Sequence, residues 1–503
     1  MQGMQWKDYV RLHNGDMKAA SKMYRSNAGP NAKRETLLQN DVSLLSSTFV
    51  SRVVIPKTIT EVVHVVRRSR HVCVFGSAHS MGGHTLWPNA VRIDMRDMNG
   101  VKVSHNGTQV KVGAGITWRD LLKALDKRGL TVRCMQSYAD FTVGGSVSVN
   151  AHGPSADILV NTVLSFVIVL ADGRLVSCSR TNNKDVFECA IGGYGLFGII
   201  VSITLSIRKN TLLCQKSFEN ELRTDELLSW YDKQRQNGKT CLYTIPVITT
   251  GPYAFEKVRA AIAWEDTGVA SEPGATTHSL IDTTPIQTAF NTMKRMTLST
   301  SVGVWIAKKV MNTHGERDVD SAPNTELRIS MNQMRYQLCE YVTPHEHSPH
   351  TFLLFESFID LKYYKAFLKK CKEALKHVSS GAFAHVFLLS LYVRFVEPDQ
   401  TTRLSYAPSR RISFVFYFKV DRNDKALSLY QRVCENLVDI TISLRGCFYL
   451  PYRVCFDCRQ LKKAYPQLFS FVHTKTKYDP DGKFMNHFGH QLLACCTGTR
   501  SRQ

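Results

Sequence analysis

The sequence predicts an α+β protein with more than one domain. The chain has 503 residues, which exceeds the roughly 250–300 residues at which single hydrophobic cores stop growing. Hydrophobic residues make up 44% of it and charged residues 21%, as in ordinary soluble globular proteins. Strand-like and amphipathic helical segments alternate along the chain. These observations exclude the disordered and fibrous classes.

The N-terminal part predicts an arm followed by a strand–helix–strand unit. Residues 1–45 are polar and weakly patterned, with a helix-like stretch around Trp6–Met23. FVSRVVIP (49–56) then predicts a strand, and TITEVVHVVRRS (58–69) has apolar residues at helical spacing. HVCVFGSAHS (71–80) predicts a buried strand that runs into a glycine-containing loop.

The next elements continue this mixture of α and β. We expect a helix over TWRDLLKALDKRG (117–129) and strands at 91–95, 108–115, 163–170 and 199–207. The region from about 209 to 450 contains broad strands such as RISFVFYFKV (411–420) and amphipathic helices such as LKYYKAFLKKCKEALK (361–376). It predicts a second α+β unit. The segment 269–285 is rich in Ser, Thr, Pro and Gly and predicts a loop.

The chain is strongly basic. Its formal net charge is +22 and its pI is about 9.4, which makes contact with a polyanion an open alternative. RRSR (67–70) lies inside a partly apolar segment rather than in a basic tail. We therefore interpret the charge mainly as a solvated surface.

Membrane and metal signals are weak. No apolar run reaches the roughly 18 residues of a membrane span, and the N-terminal segment lacks the apolar core of a signal peptide. We expect a cytoplasmic protein without a membrane span. Fourteen scattered cysteines suggest reduced thiols. CFDC (455–458) has a metal or redox spacing, but no second pair stands near it, so we predict no metal site.

Three glycine-rich segments carry the chemistry. FGSAHSMGGHT (75–85) follows a strand and has small residues that let backbone amides converge on an anion, although His79 could equally be an ordinary loop histidine. DFTVGGSVSVNAHG (140–153) is a second such segment, and two cradles suggest a diphosphate. GGYGLFGIIVSITLSI (192–207) would allow close approach of a flat ring system. None matches the Rossmann or Walker pattern.

The order and spacing of these segments resemble the FAD-linked oxidases of the vanillyl alcohol oxidase and p-cresol methylhydroxylase (PCMH) type. The resemblance covers about residues 45–208 and resumes at YPQLFSFVHTKTKYDPDGKFMNHF (465–488). It implies a two-part PCMH-type FAD-binding domain plus an α+β cap domain that binds the substrate. The implied boundaries are an arm at 1–45, the FAD-binding domain at 46–208, the cap at 209–455 and a returning C-terminal segment at 456–503.

The resemblance also implies which residues bind FAD. It assigns the pyrophosphate to the first two loops and the ring system to their surroundings. The implied residues are Gly76, Ser77, Ala78, His79, Ser80, Gly82, Gly83, Thr142, Val143, Gly144, Gly145, Ser146, Asn150, His152, Gly195 and Ile199. His79 falls where many members attach the flavin covalently to a histidine, which raises the flavin's reduction potential. Some members also attach FAD to a cysteine, but Asp140 stands at that position in this chain. A second covalent link is therefore not expected.

Among the subfamilies, the chain resembles the sugar-lactone oxidases, with departures in the substrate region. Their Glu-x-Arg pair is replaced by Tyr392 and Arg394, and their His-Trp-Ala-Lys by the residues 449–452. The resemblance implies catalytic roles for Arg394, Tyr392 and Tyr452. Arg394 would bind an anionic group or stabilise negative charge on reduced flavin. The two phenols would hydrogen-bond a substrate hydroxyl or take its proton, but they could instead be packing residues.

The resemblance implies an FAD-dependent oxidoreductase that oxidises a hydroxyl-bearing carbon of a sugar, polyol or related alcohol. Hydride transfer would reduce the flavin, and oxygen or another acceptor would reoxidise it. One alternative is a reductase or electron-transfer protein of the same fold. Another is a catalytically idle FAD-containing binding protein whose charge recruits a polyanion.

Overall fold

The protein is described by a computed structural model that covers residues 37–236, 243–248, 255–270, 327–332, 348–376, 378 and 385–497. Most of the predicted N-terminal arm, with its helix-like stretch, and most of the predicted loop 269–285 lie outside these residues. In the described part of the chain, no helix is long and apolar enough to cross a membrane.

The described strands form four sheets. In chain order they are β1 (Leu37–Asn40), β2 (Ser47–Val50), β3 (Arg52–Val54), β4 (Val72–Phe75), β5 (Val91–Asp94), β6 (Val101–Val103), β7 (Gln109–Gly113), β8 (Leu130–Val132), β9 (Val163–Val169), β10 (Leu175–Ser179), β11 (Ile199–Lys209), β12 (Thr211–Arg223), β13 (Tyr243–Ile248), β14 (Lys257–Ala270), β15 (Leu327–Ser330), β16 (His350–Asp360), β17 (Val386–Val396), β18 (Arg411–Asp421) and β19 (Cys447–Phe448).

The helices pack against these sheets. In chain order, the α-helices of the described residues include α1 (Ile59–Arg68), α2 (Trp118–Asp126), α3 (Val143–Ser148), α4 (Leu159–Thr162), α5 (Lys184–Ala190), α6 (Leu227–Gln236), α7 (Tyr364–Leu375), α8 (Asp424–Ser443), α9 (Cys458–Ala464), α10 (Leu468–Tyr478) and α11 (His487–Thr497). The expected mixture of α and β is confirmed.

Local sequence explains the first two helices. The hydroxyl of Thr58 caps α1 by accepting a hydrogen bond from the amide of Glu61 at 3.2 Å, and Thr117 caps α2 in the same way. Threonine satisfies one of the free amides at each helix start. Along α2, residues 118, 121, 122 and 125 are fully buried, which is the helical spacing that the sequence predicted.

A small parallel sheet, in the order β3-β5-β4, forms the first layer of the N-terminal half. Helix α1 connects β3 to β4 and packs its buried valines on this sheet. The amide of Val72 in β4 donates to the carbonyl of Lys483 at 2.8 Å, and Val72 forms a parallel bridge with Phe484. The C-terminal segment therefore extends the parallel sheet beside β4.

Two larger antiparallel sheets follow. One has the order β10-β9-β11-β7-β6, with β8 also paired to β11. The other has eight strands in the order β15-β12-β14-β13-β17-β18-β16-β19. One continuous hydrophobic core joins side chains of these two sheets to the C-terminal helices, and a second core lies between α1 and the parallel sheet.

The cysteines depart from the expectation in one place. Cys458 in α9 forms a disulfide with Cys495 in α11, so the prediction of reduced thiols is wrong for this pair. Cys455, the other cysteine of the CxxC motif, is buried as a free thiol. The motif therefore does not act as a pair, because one member is bonded to a distant helix.

Candidate active site

The loop 75–85 leaves the end of β4 and contains seven of the predicted residues. Ala78 and Gly83 have positive φ values of 55° and 68°. Among the described residues, the amides of Gly76, Ser77, Ala78 and Ser80 donate to no other residue. The hydroxyl of Ser80 is buried and also has no described partner. The first loop therefore presents a row of free hydrogen-bond donors.

The first and second glycine-rich segments lie in direct contact. A Cβ atom on Gly76 would overlap the side chain of Thr142, so glycine is needed for the backbones to approach. The hydroxyl of Ser77 donates to the carbonyl of Asp140 at 2.5 Å. Sequence reasoning placed both segments at one cofactor, and the structure brings them together.

The second segment is more ordered than a loop. Its residues 143–148 form the short helix α3, capped by Thr142. The amides of Val143 and Gly144 donate to the carbonyls of Ile116 and Ala114, each at 2.8 Å. The amides of Gly145 and Ser146 donate to Thr142. Because these four amides bond within the protein, free donors for an anion come from the first loop.

His79 lies between the two segments and is half-buried. Its ring centroid is 4.8 Å from that of Phe141 and 5.0 Å from that of Tyr138. Burial lowers the pKa of His79 to about 4, against a smaller raising effect of the Asp140 charge. The imidazole is therefore neutral near pH 7, which is the form that acts as a nucleophile.

His84, in the same loop, has a different environment. It is buried, its Nε2 lies 2.9 Å from the carbonyl oxygen of Leu450, and its ring stacks on Phe488 at 4.5 Å. Burial lowers its pKa to about 4 as well. His84 therefore joins the loop to the C-terminal part of the chain.

The remaining predicted cofactor residues lie deeper. Ser146 donates to Gln136 at 2.9 Å and accepts from Trp118 at 2.8 Å. The buried Asn150 donates to Asp399 at 3.0 Å. Ile199, in β11, is part of the core that α1 and the parallel sheet share. Gly82 has its hypothetical Cβ 2.7 Å from the carbonyl oxygen of Tyr452, Gly83 packs on His487, and Gly195 approaches Val74.

The three predicted catalytic residues lie close together on the eight-stranded sheet and the segment after it. The guanidinium of Arg394 lies 5.5 Å from the ring centroid of Tyr392. Arg394 is buried and donates to the hydroxyl of Ser137 at 3.3 Å. Ser137 directly precedes Tyr138, which contacts His79. The strand β17 thus faces the loops that hold His79.

Burial decides what the phenol of Tyr452 can do. Desolvation raises the pKa of Tyr452 well above its usual value, and the nearby Glu356 raises it further, while Arg394 lowers it less. The lowering effect of Arg394 on this pKa is thus smaller than the raising effects, which favours the neutral phenol near pH 7. Tyr452 is a hydrogen-bond donor there.

Sequence reasoning missed Glu356. Its side chain is buried in β16, and its Oε1 lies 2.8 Å from Nε2 of His152. His152 was expected only as a cofactor residue. The signal was a single glutamate inside the apolar strand HTFLLFESFID, because a buried carboxylate needs a partner.

Comparison with known proteins agrees with this geometry. A family model described as an FAD binding domain matches residues 50–179. This range includes α1, the loop 75–85 and the segment that carries Thr142 and Ser146.

Curated relatives match over part of their length. An L-gulonolactone oxidase of Mus musculus is 33% identical over 175 residues, which are 33% of this chain and 40% of that protein. A cytokinin dehydrogenase 1 of Oryza sativa subsp. japonica is 29% identical over 213 residues, or 38% of each chain. An oxidoreductase of the fasciation locus of Rhodococcoides fascians is 32% identical over 162 residues, which are 31% of this chain and 37% of the relative.

The chain therefore spans about two fifths of the length of the curated relatives it matches. Residues 50–179 of the chain thus match an FAD binding domain, and the chain is similar over part of its length to an L-gulonolactone oxidase and a cytokinin dehydrogenase.

Proposed function

We propose that the protein oxidises a hydroxyl-bearing carbon of a sugar, polyol or related alcohol by hydride transfer to FAD. The observation that carries this proposal is the position of Arg394. Its buried guanidinium hydrogen-bonds Ser137 at 3.3 Å, beside the residues that surround His79. A buried cation at that place supports stabilisation of negative charge that develops during oxidation.

The residues of the first loop fit a diphosphate. The four amides have no acceptor among the described residues, and the buried hydroxyl of Ser80 would otherwise be left without one, which costs about 1–3 kcal/mol for a buried group. Gly76, Ser77, Ala78 and Ser80 would hold the pyrophosphate by these donors. Thr142, through its contact with Gly76, would hold the loop in place.

We further propose that His79 bonds covalently to the flavin. Its ring is neutral near pH 7 and lies between the first loop and the aromatic residues Tyr138 and Phe141. His84 is the competing histidine, but its Nε2 is already engaged with Leu450 at 2.9 Å. This engagement favours His79.

The sheets support a division of the chain into two units. Residues 46–208 carry the parallel and six-stranded sheets, and 456–503 contain the segment that extends the parallel sheet. Residues 209–455 carry the eight-stranded sheet and its helices, and we propose this unit as the substrate-binding cap. Its strand β17 brings Arg394 to the FAD loops.

When bound, FAD supplies the acceptor for the two electrons of the substrate. The protein supplies the rest. Tyr452, as a neutral phenol, donates a hydrogen bond to the substrate oxygen or to a neighbouring carboxylate. Arg394 places a positive charge near this phenol. We propose oxygen or another acceptor for reoxidation, because oxidases and dehydrogenases both occur among the relatives.

The test is to purify the protein and record its visible spectrum before and after acid precipitation. We expect about one FAD per chain, retained on the precipitate of the native protein and released from the His79→Ala variant. The matched control is His84→Gln, which should retain its flavin in acid. Protein that stays colourless after incubation with FAD would contradict the proposal. Flavin on a peptide containing only His84 would refute the His79 assignment alone.

The donor is tested with a panel of polyols and sugar lactones under air and with an artificial acceptor. Reduction of the flavin by a panel member supports alcohol oxidation. A yellow protein that no alcohol reduces would favour the electron-transfer or binding alternatives.

A further inference from the structure

Glu356 is a carboxylate enclosed in the protein beside the predicted catalytic residues. Its side chain is only 1% exposed, and that of its partner His152 is 6% exposed. The two side chains meet at 2.8 Å between Nε2 of His152 and Oε1 of Glu356. His152 ends the second glycine-rich segment, so the pair joins the FAD-binding part of the chain to β16.

The strand register places Glu356 on the same face as the predicted catalytic residues. Glu356 pairs with Val415 of β18, and Val415 pairs with Tyr392 of β17 on its other side. Residues directly opposite in adjacent strands share a face, and so do residues two apart in one strand. Arg394, two residues after Tyr392, therefore lies on that face too, with β18 between it and Glu356.

Tyr452, in the segment after β19, approaches Glu356 and Arg394. It lies close enough to both residues for their charges to act on the pKa of its phenol. The carbonyl of Tyr452 contacts Gly82 of the first loop. The group of Glu356, His152, Arg394 and Tyr452, here called the carboxylate cluster, thus lies where the eight-stranded sheet meets the FAD-binding loops.

Among the described residues, three buried polar atoms at the cluster lack a hydrogen-bond partner. They are Nδ1 of His152, Oε1 of Glu356 apart from its ion pair with His152, and the hydroxyl of Ser413, and Ser413 is directly opposite Arg394 in the sheet. Buried polar atoms without partners are uncommon in folded proteins. All three atoms suit a ligand with hydroxyl groups.

A purely structural ion pair between Glu356 and His152 would not require Arg394 and Tyr452 nearby. Replacing a buried ion pair by apolar residues is often neutral or stabilising, so the pair is not needed to hold β16. Of the groups at the cluster, the phenol of Tyr452 is a poor proton acceptor because burial raises its pKa well above the usual value. Arg394 cannot accept a proton near neutral pH. Glu356 and its partner His152 remain as proton acceptors, and of these two Glu356 lies in the cross-strand row of Tyr392.

We propose that Glu356 is the catalytic residue that accepts the proton of the substrate hydroxyl, with His152 as the positioning residue for its carboxylate. This inference rests on the proposed oxidation of an alcohol. In the step, the O–H bond breaks and its proton goes to the carboxylate of Glu356. The C–H bond breaks and its electron pair passes with the hydrogen to FAD, the two-electron acceptor, and a C=O bond forms.

The proposal accounts for the departure from the sugar-lactone oxidases. Tyr392 stands in place of their glutamate, and Glu356 supplies a carboxylate from two strands away in the same cross-strand row. Arg394 keeps its place two residues after Tyr392 in β17. The carboxylate and the guanidinium thus remain on one face although they no longer belong to one strand.

The test compares Glu356→Gln with the control Glu373→Gln in the FAD-loaded protein. Glu373 is exposed on α7, and within the described part of the chain its ion pair is with Lys376 at the surface. The first measurement is spectroscopic and needs no substrate: sulfite is titrated into each protein, and its dissociation constant is read from bleaching of the flavin. Because sulfite adds negative charge to the flavin, loss of a nearby buried carboxylate should tighten its binding. We expect at least a tenfold decrease in the constant for Glu356→Gln and no change for the control.

The second measurement is the rate of flavin reduction without oxygen, using a polyol or lactone that reduces the native protein. We expect Glu356→Gln to lower this rate by about two to four orders of magnitude, with FAD still bound. Glu356→Asp keeps a carboxylate and should recover part of the rate. It also tests the proposal if the glutamine variant fails to fold.

The outcomes separate the two proposals. Colourless native protein refutes the proposed FAD chemistry itself. Equal sulfite binding in the Glu356→Gln and control variants, or a full rate of flavin reduction in Glu356→Gln, overturns the role of Glu356. Full rate in Glu356→Asp when the glutamine variant does not fold overturns it as well. If no alcohol reduces the yellow native protein, the sulfite comparison alone decides where the carboxylate acts.

Discussion

Arg394 is a cation in a nearly closed environment. Its hydrogen bonds within the described residues go to the carbonyl of Val393 at 3.5 Å and the hydroxyl of Ser137 at 3.3 Å, and no ion pair with a described carboxylate is present. Burial lowers its pKa below the usual value, but guanidinium stays charged near neutral pH. Such a cation is available for a negative charge that forms during the reaction.

We expect Arg394→Ala to lower the rate of flavin reduction by about two orders of magnitude, the usual effect of losing one preorganised electrostatic donor. The reduction potential of the bound flavin should fall, measured by equilibration with redox dyes. Arg394→Lys is the matched control and should keep most of the potential. An unchanged potential in the alanine variant would show that the guanidinium does not act on the flavin.

His84 makes a separate prediction about acid stability. Its pKa is about 4 in the folded protein because of burial, against about 6.5 for an unperturbed histidine. Between these values the unfolded chain binds the proton and the folded chain does not. The contribution of His84 to stability is therefore present above about pH 6.5 and is lost as the pH falls toward 4.

We expect the native protein to lose about 3 kcal/mol more of its free energy of unfolding than His84→Gln between pH 6.5 and 4. Glutamine can still donate to the carbonyl of Leu450 but does not titrate in this range. Urea unfolding of the two FAD-loaded proteins at several pH values measures the difference. Parallel curves would mean that His84 does not titrate in this window.

Local sequence predicted some residues of the site and missed others for a physical reason. Glycines that permit close backbone contact, such as Gly76, stand out in a sequence because their spacing is local. Glu356 does not, because its neighbours Tyr392 and His152 come from other strands and segments. The register across β18 places Tyr392 in the row of Glu356. Tertiary packing of the second glycine-rich segment brings His152 to the same carboxylate.

Individual elements show the same difference between local and tertiary information. The capped, amphipathic helices α1 and α2 were predicted close to their bounds because Thr58, Thr117 and the apolar spacing are local signals. The segment 142–148 was expected as an open cradle, yet it forms α3, because Ile116 and Ala114 accept its amide hydrogen bonds. Glycine content alone did not reveal these acceptors.

The helices α9 and α11 are joined by the Cys458–Cys495 disulfide, and α11 carries Phe488, which stacks on His84. Because Cys458 and Cys495 are separated by 37 residues, removing the bond frees a long loop in the unfolded chain. We expect Cys458→Ser to lower the free energy of unfolding by about 2–4 kcal/mol. Urea unfolding without reductant measures this change.

The control for the disulfide is Cys496→Ser, which changes the neighbouring free thiol and should leave stability within about 0.5 kcal/mol. Peptide mapping under non-reducing conditions should recover the 458 and 495 peptides as one species. Recovery of both as free thiols would contradict the prediction.

At the scale of the whole molecule, the C-terminal segment packs on the N-terminal half of the chain. Phe484 bridges to Val72, and the side-chain amide of Asn486 donates to the carbonyl of Tyr194 at 2.9 Å. The ring of His487 lies 2.6 Å from the hydroxyl of Thr48. This return was predicted from the resemblance of the tail. Neither the strand order of the eight-stranded sheet nor its contact with the loops could be read from composition and periodicity.

We expect a chain that ends at Gly482 to lose FAD, because it lacks Phe484, Asn486 and the helix α11 that supports the first loop. The matched control ends at Thr497 and should keep about one FAD per chain. Absorbance of the purified proteins at visible wavelengths gives the FAD content. A yellow, folded protein that ends at Gly482 would show that the returning segment is dispensable.

The bridge between Val72 and Phe484 also constrains how the protein is made. The strands β3, β4 and β5 leave the ribosome early, whereas their partner segment follows only after the whole eight-stranded sheet has been translated. At about 5–20 residues per second, the edge of β4 waits tens of seconds for its neighbour. During that interval the nascent chain has an incomplete parallel sheet with an open edge, so chaperones that cover such edges should determine the yield of flavin-loaded protein.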